Sequence, residues 1–179
     1  QDQFASSYGG LNYITFNSDE VSVKPIDLKE ESLSFLEENL MMFYTGITRN
    51  ANDILEHMNL ESNKTQVFNS QVRMRDLADK LYIDLLNNEL SNFGKLMHEN
   101  WILKDTLSSK ISNPTINEIY DLAINSGAEG GKILGAGGGG FFLFYCHPRN
   151  QEKLRNRLNL QEYNFKFEDK GTQLVMKED

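Results

Sequence analysis

The sequence predicts an α+β fold with helices layered on an antiparallel sheet. Three observations predict it. Strand-like apolar runs lie far apart, at residues 11–16, 21–25, 40–44 and 141–146. Helical stripes are grouped between the third of these and the fourth. Near the end, Tyr163, Phe165 and Phe167 alternate with Asn164, Lys166 and Glu168, the period of a half-buried strand in a closing hairpin.

Taken in order, residues 1–8 read as a helix ended by Gly9-Gly10. The strands at 11–16 and 21–25 are joined by an Asn17-Ser18-Asp19 turn. Residues 28–39 are acidic and loosely amphipathic, a short surface helix, and the strand at 40–44 is broken by Thr45-Gly46. Ile54, Leu55 and Met58 suggest a short helix ending before the polar run 59–64. Met74, Leu77, Ala78, Leu81 and Leu85 form a stripe through 65–87, and Leu90, Phe93, Met97 and Trp101 form the next. Both stripes read as plain core. Asn113 is a good N-cap with Pro114 at the first helical position. Ile116, Ile119, Tyr120 and Ala123 mark the buried face of that helix, and Gly127 ends it, delivering the chain into a glycine loop. Residues 150–159 read as a basic helix, and Asp169-Lys170-Gly171 as the turn into a last strand at 172–176. No repeat, low-complexity tract or long linker interrupts the pattern.

The 179 residues suffice for one domain with a substantial core, at 39% hydrophobic and 25% charged composition. A formal net charge of −8 with no Lys/Arg cluster argues against a nucleic-acid partner. The longest strongly apolar run is six residues, too short for a bilayer, and no signal peptide is expected. A single cysteine excludes an internal disulfide and fits a reducing cytosol, so a cytoplasmic location is expected. Cys146 ends an apolar strand and reads as an inert core thiol.

The most informative stretch runs from Gly130 to Gly140, with seven glycines in eleven positions, followed by the apolar strand Phe141–Cys146. Such a loop removes Cβ atoms where backbone bends or approaches a ligand, and exposed backbone N–H groups suit a phosphate. Gly135, Gly137 and Gly140 satisfy G-x-G-x-x-G, but a strand follows where a dinucleotide site needs a helix. A Walker A loop needs Gly-Lys-Ser/Thr, and Gly140 is followed by Phe141. A protein-kinase loop would need His-Arg-Asp and Asp-Phe-Gly, which the chain does not contain. A glycine-rich turn serving geometry alone is the remaining alternative.

No histidine belongs to a metal motif. His98-Glu99 is followed by Ile102 where a His-Glu-x-x-His site needs its second histidine, and His57 and His147 have no ligand-spaced partners. His98 reads as a satisfied or surface histidine.

Lys132 through Leu143 resembles the third, C-terminal motif of the GHMP kinases, the family of galactokinase, homoserine kinase, mevalonate kinase and phosphomevalonate kinase. Gln1-Asp2-Gln3-Phe4-Ala5 with Gly9-Gly10 resembles the family segment that carries the catalytic aspartate. Leu40 through Arg49 and Met97 through Trp101 look like the branch whose acceptor is D-glycero-D-manno-heptose 7-phosphate. The resemblance implies a ferredoxin-like C-terminal domain at residues 28–179, with 1–27 as the end of the N-terminal domain and its connecting hairpin. It implies that the family's first motif and its Gly-Leu-Gly-Ser-Ser nucleotide loop lie upstream of Gln1, so this chain alone is expected to be inactive. It implies ATP as donor, with Mg²⁺ ligands mainly in that upstream part and none assigned here. The partner is then a small sugar phosphate; fucose or another hexose, or a non-catalytic sugar-binding role, are the alternatives.

On the same resemblance Asp2 faces the acceptor hydroxyl, and Gly135, Ala136, Gly137, Gly138, Gly139 and Gly140 lie near the phosphates. Asp2 by itself would be read as a solvated residue near a chain end. Lys132 either points at phosphate or is the solvated end of a strand. Thr45 and Arg49 follow a strand break, where an arginine fork suits a substrate phosphate and a surface helix start is the alternative.

Overall fold

The computed structural model describes residues 2–48 and 65–174. Helix α1 (Asp2–Tyr8) ends at Gly9, whose N–H bonds the Ala5 carbonyl at 3.0 Å. Strands β1 (Asn12–Phe16) and β2 (Val21–Pro25) form a two-stranded antiparallel sheet of their own, in register from Asn12↔Pro25 to Phe16↔Val21. Helix α2 (Glu30–Asn39) then feeds β3 (Leu40–Tyr44). Helices α3 (Thr65–Leu86), α4 (Phe93–Asp105) and α5 (Pro114–Asn125) follow. Strands β4 (Ala128–Ile133) and β5 (Phe141–Cys146), helix α6 (Pro148–Leu158) and a two-residue β6 (Glu162–Tyr163) complete the order.

The main sheet has the order β4-β5-β3-β6, every pair antiparallel. Numbered by their order in the chain, its strands lie 2-3-1-4, the ferredoxin-like arrangement, with three helices among the described residues of the first crossover. The α+β expectation therefore holds. Phe142 and Phe144, both 0% exposed, stack at 4.8 Å beneath Trp101 and Tyr120 and make the centre of the main core. A second cluster on the other side gathers Leu36, Leu40, Leu85, Leu90, Met97 and Tyr145. The Asn113 cap is as read: its side chain accepts from the Ile116 N–H at 3.1 Å, with Pro114 at the helix start.

Four expectations change. Gly130 and Gly131 belong to β4, so a strand intervenes between α5 and the loop. The reason is a close helix-on-strand approach. A Cβ on Gly130 would lie 2.0 Å from the Gly94 carbonyl oxygen and 2.7 Å from the His98 nitrogen, so α4 lies on bare backbone. The stripe on α3 is not plain core: Leu85 is buried, Met74, Leu77 and Leu81 are half-buried, and Ala78 is exposed. Helix α2 is no mere surface helix, because Leu36 is 1% exposed at the root of the second cluster.

The closing hairpin does not form among the described residues. After β6 the chain stays extended, and Phe165 and Phe167 pack against the second cluster without a ladder partner. The Phe167 N–H donates to the Glu37 carboxylate at 2.9 Å, and Lys166 pairs with the same carboxylate. The Glu168 carbonyl accepts from the Gly10 N–H at 2.7 Å, and Gly171 lies against the Ser7 backbone. Period-two burial arose here from an extended strap, which ties α1 to the body of the protein. Residues 175 and 176 of the expected last strand, and the helix expected around Ile54, lie outside the described residues.

Candidate active site

The loop between β4 and β5 is closed at its neck by the Leu134 N–H donating to the Phe141 carbonyl at 2.9 Å. Its far half is stitched down. The Gly138 N–H donates to the Ile111 carbonyl at 2.7 Å and the Gly140 N–H to the Ile47 carbonyl at 2.8 Å. Thr45 holds the same corner: its N–H and its hydroxyl both donate to the Gly140 carbonyl, at 2.9 and 2.8 Å. The hydroxyl also accepts from the Ile47 N–H at 3.2 Å, so Thr45 acts on the loop's geometry. Gly138 at φ +74° shows why glycine is required: it is buried in a left-handed conformation with its N–H committed. Ala136 packs against the main core. Gly135, in contrast, is exposed and open.

The near half of the loop is held by a residue that the sequence reading missed. Lys104, in the last turn of α4 and 9% exposed, donates from Nζ to the Gly135 carbonyl at 2.8 Å. Burial first, and then the Lys132 ammonium, pull its pKa from 10.5 down to about 8, while Asp2 acts in the opposite direction. Lys132, at the end of β4, is half-buried and also held below the ordinary lysine range by desolvation, again opposed by Asp2. Asp2, exposed in the first turn of α1, thus lies within electrostatic reach of both ammonium groups. The reading of Lys132 as a solvated strand end gives way to a partly desolvated cation. A signal for Lys104 existed: it continues the stripe Met97, Trp101 at helical spacing, where a charge is out of place.

Lys132 also lines a groove of about 410 Å³ between the β1–β2 hairpin and α3, with Tyr13, Phe16, Leu81 and Tyr82. Tyr13 and Tyr82 stack at 4.2 Å, and the Tyr13 hydroxyl donates to Asp79, which holds that phenol above its ordinary range. Of the α3 stripe, Ala78, Leu81 and Leu85 line this groove, while Met74 packs against the main core.

The remaining candidates have structural tasks. His98 Nδ1 lies 2.8 Å from the Tyr120 hydroxyl, which burial pushes above the usual phenol range. His147 caps α6 by accepting from the Arg149 N–H at 3.3 Å. Burial raises the Cys146 thiol to about 11, an inert core group as read. Arg49 and His57 lie outside the described residues. Among the described residues no group of three or more His, Cys, Asp or Glu could hold a metal ion. Likewise, among the described residues no helix is long and apolar enough to cross a membrane.

Residues 81–164, from the last turns of α3 to β6, match the family described as GHMP kinases C terminal. The D-glycero-alpha-D-manno-heptose 7-phosphate kinase of Campylobacter jejuni is 31% identical over 175 residues, covering 96% of this chain and 52% of that protein. Residues 81–164, a little under half of the chain, thus carry the pattern of a GHMP kinase C-terminal domain. A bifunctional fucokinase/GDP-fucose pyrophosphorylase of Arabidopsis thaliana is 28% identical over 164 residues, 88% of this chain and 16% of that one. The crystal structure of a candidate sugar kinase from Campylobacter jejuni superposes with a TM-score of 0.70 at 28% identity, over 95% of this chain and 49% of its own. The chain thus spans about half the length of the Campylobacter relatives. The GHMP match covers Lys104, Lys132 and the whole glycine loop, while Asp2, the hairpin and β3 lie outside it.

Proposed function

We propose that this chain is the C-terminal part of an ATP-dependent kinase acting on a hydroxyl of a sugar phosphate, with D-glycero-D-manno-heptose 7-phosphate as the preferred acceptor. The observation that carries the reading is the convergence of Asp2, Lys132 and the Lys104-held glycine loop from elements far apart in sequence. A carboxylate beside cations and a bulk-free loop is what phosphoryl transfer asks of a protein, since positioning and charge stabilisation dominate that chemistry. Asp2 orients the acceptor hydroxyl and takes its proton. The loop, from Gly135 to Gly140, lies beside the phosphates, and the groove beside Lys132 offers tyrosine faces to a sugar ring. Residues 28–179 then form the C-terminal domain and residues 1–27 the end of a preceding one, in keeping with a hairpin that stands apart from the main sheet. The cytoplasm is the compartment where ATP is supplied. The heptose preference is supported by the Campylobacter relative, and fucose is the second reading, supported by the Arabidopsis one.

The test is ADP release by the full-length gene product with heptose 7-phosphate, fucose and mevalonate as acceptors. At least a tenfold higher kcat/KM on the heptose phosphate is expected; preference for fucose would replace the substrate assignment. Asp2→Asn should lower kcat by about 10²–10⁴-fold, the scale of a lost general base, with sugar binding by calorimetry unchanged. A variant with near-normal kcat would return Asp2 to the role of a solvated surface residue.

A further inference from the structure

We propose that Lys104 and Lys132 together seat the phosphoryl group in transfer, with Lys104 also fixing the glycine loop through the Gly135 carbonyl. The inference rests on the kinase reading above and assigns the cations of that site. Lys132 stands near the end of β4, three residues before the Gly135 carbonyl that Lys104 holds at 2.8 Å, so two lysines serve one turn. Ammonium groups held so, one of them buried, are unfavourable unless an anion offsets them. Within the described residues neither lysine is ion-paired with a carboxylate, and Asp2 is the one anion that bears on both. One carboxylate against two ammonium groups leaves a net positive charge. Lys104 has three N–H donors, of which one goes to Gly135. A structural lysine buried this far would be paired with a carboxylate, and a solvated one would not be 9% exposed.

A phosphoryl group completes this arrangement. The acceptor hydroxyl gives its proton to Asp2 while its oxygen bonds the γ-phosphorus of ATP. The bond from that phosphorus to the β,γ-bridging oxygen breaks, and ADP leaves with the electron pair. Negative charge on the three equatorial oxygens meets the two ammonium groups throughout. Lys104 is faced by Lys132 of β4, by Asp2 of α1 and by the Gly135 carbonyl. On its own helix the neighbouring Asp105 is turned to Ser112. With its pKa at about 8, Lys104 loses its proton as pH rises through the upper range of ordinary assays, so phosphoryl seating weakens there.

Steady-state kinetics of the full-length gene product test this, with Lys104→Met, Lys132→Met and Lys104→Arg, each checked for an unchanged circular-dichroism spectrum. Both methionine variants should lower kcat by about 10²–10³-fold, the scale of one lost preorganised donor, with less than about threefold change in either KM. Wild-type kcat/KM should fall above about pH 8, and Lys104→Arg, always charged, should shift that limb upward. Unchanged kcat in the methionine variants overturns the proposal. So does a loss confined to the KM for heptose 7-phosphate and absent on unphosphorylated heptose, which would make the pair a seat for the acceptor's own phosphate. If Lys104→Met does not fold, Lys132→Met and Lys104→Arg decide. Should the wild type phosphorylate no sugar at all, the kinase reading fails separately. The lysine pair is then tested by calorimetry with the methylene-bridged ATP analogue in two buffers at pH 8.5. Proton uptake in the wild type but not in Lys104→Arg supports the pair, and equal uptake in both overturns it.

Discussion

Two groups of glycines, separated by Lys132, Ile133 and Leu134, serve opposite ends. Gly130 and Gly131 are buried in an extended strand, where backbone lies against backbone and a Phe144 ring. Gly135, Gly137, Gly138 and Gly140 take φ values of +68° to +108° in the loop that follows. The first pair is required by what sits above it, the second set by how the chain must turn. One composition therefore conceals two physical causes, close packing in the strand and a sharp turn in the loop. Lys104 connects the two regions, since the helix that the strand glycines admit delivers its ammonium to the loop.

The largest break in this comparison should come from Gly130→Ala. Its methyl would enter the Gly94 carbonyl at 2.0 Å, so helix and strand must part. Overpacking against backbone costs about 3 kcal/mol or more, read as a lower urea midpoint. Stability near wild type would show that α4 can slide without penalty.

Next is the pH dependence of stability at Lys104. The folded-state pKa of about 8 lies below the ordinary 10.5, so between those values the unfolded chain binds more protons. Stability from this group therefore rises as pH climbs from 8 to 10.5, and its penalty is complete below 8. That gap corresponds to about 3 kcal/mol, opposed by about 1.5–3 kcal/mol for the charged hydrogen bond to Gly135. Lys104→Met is expected to match or exceed wild-type stability at pH 7 and to lose that advantage by pH 10.5, measured by urea denaturation at both. An advantage that grows with pH would contradict the assignment. A residue that weakens the fold at neutral pH while turned to a loop is one retained for function.

The smallest effects separate the two halves of the loop itself. Gly138→Ala places a Cβ at φ +74° in a buried, bonded position, and about 1–2 kcal/mol of strain is expected. Gly135→Ala has a similar φ of +68° but nothing within 4 Å, so its loss should stay near about 1 kcal/mol. Its kcat should drop further than its stability implies, because its carbonyl holds Lys104. Equal kinetic effects at both positions would remove the distinction between the stitched half and the open half.

Much of this architecture was written in side-chain pattern. The hairpin of β1 and β2, the apolar β3 and the aromatic β5 were legible as short apolar runs bounded by turn residues, and the Asn113-Pro114 helix start by its capping chemistry. So was the loop, because so many glycines have few other uses. The α3 stripe misled because a half-buried groove wall has the same period as a core face. The tail misled because an extended strap alternates as a strand does, although Phe165 and Phe167 have no ladder partner.

By itself, then, the sequence determined the strands and caps, the aromatic centre at Phe142 and Phe144, and the glycine turn with its likeness to a kinase family. The tertiary structure alone decided that Gly130 lies in a strand, that the 168–172 segment ties α1 in place, and that Asp2, Lys104 and Lys132 share one electrostatic neighbourhood. The physical reason is that periodicity records which face of an element is apolar. Glycine has no side chain with which to record anything, and the field at a charge is summed over residues that only folding brings together.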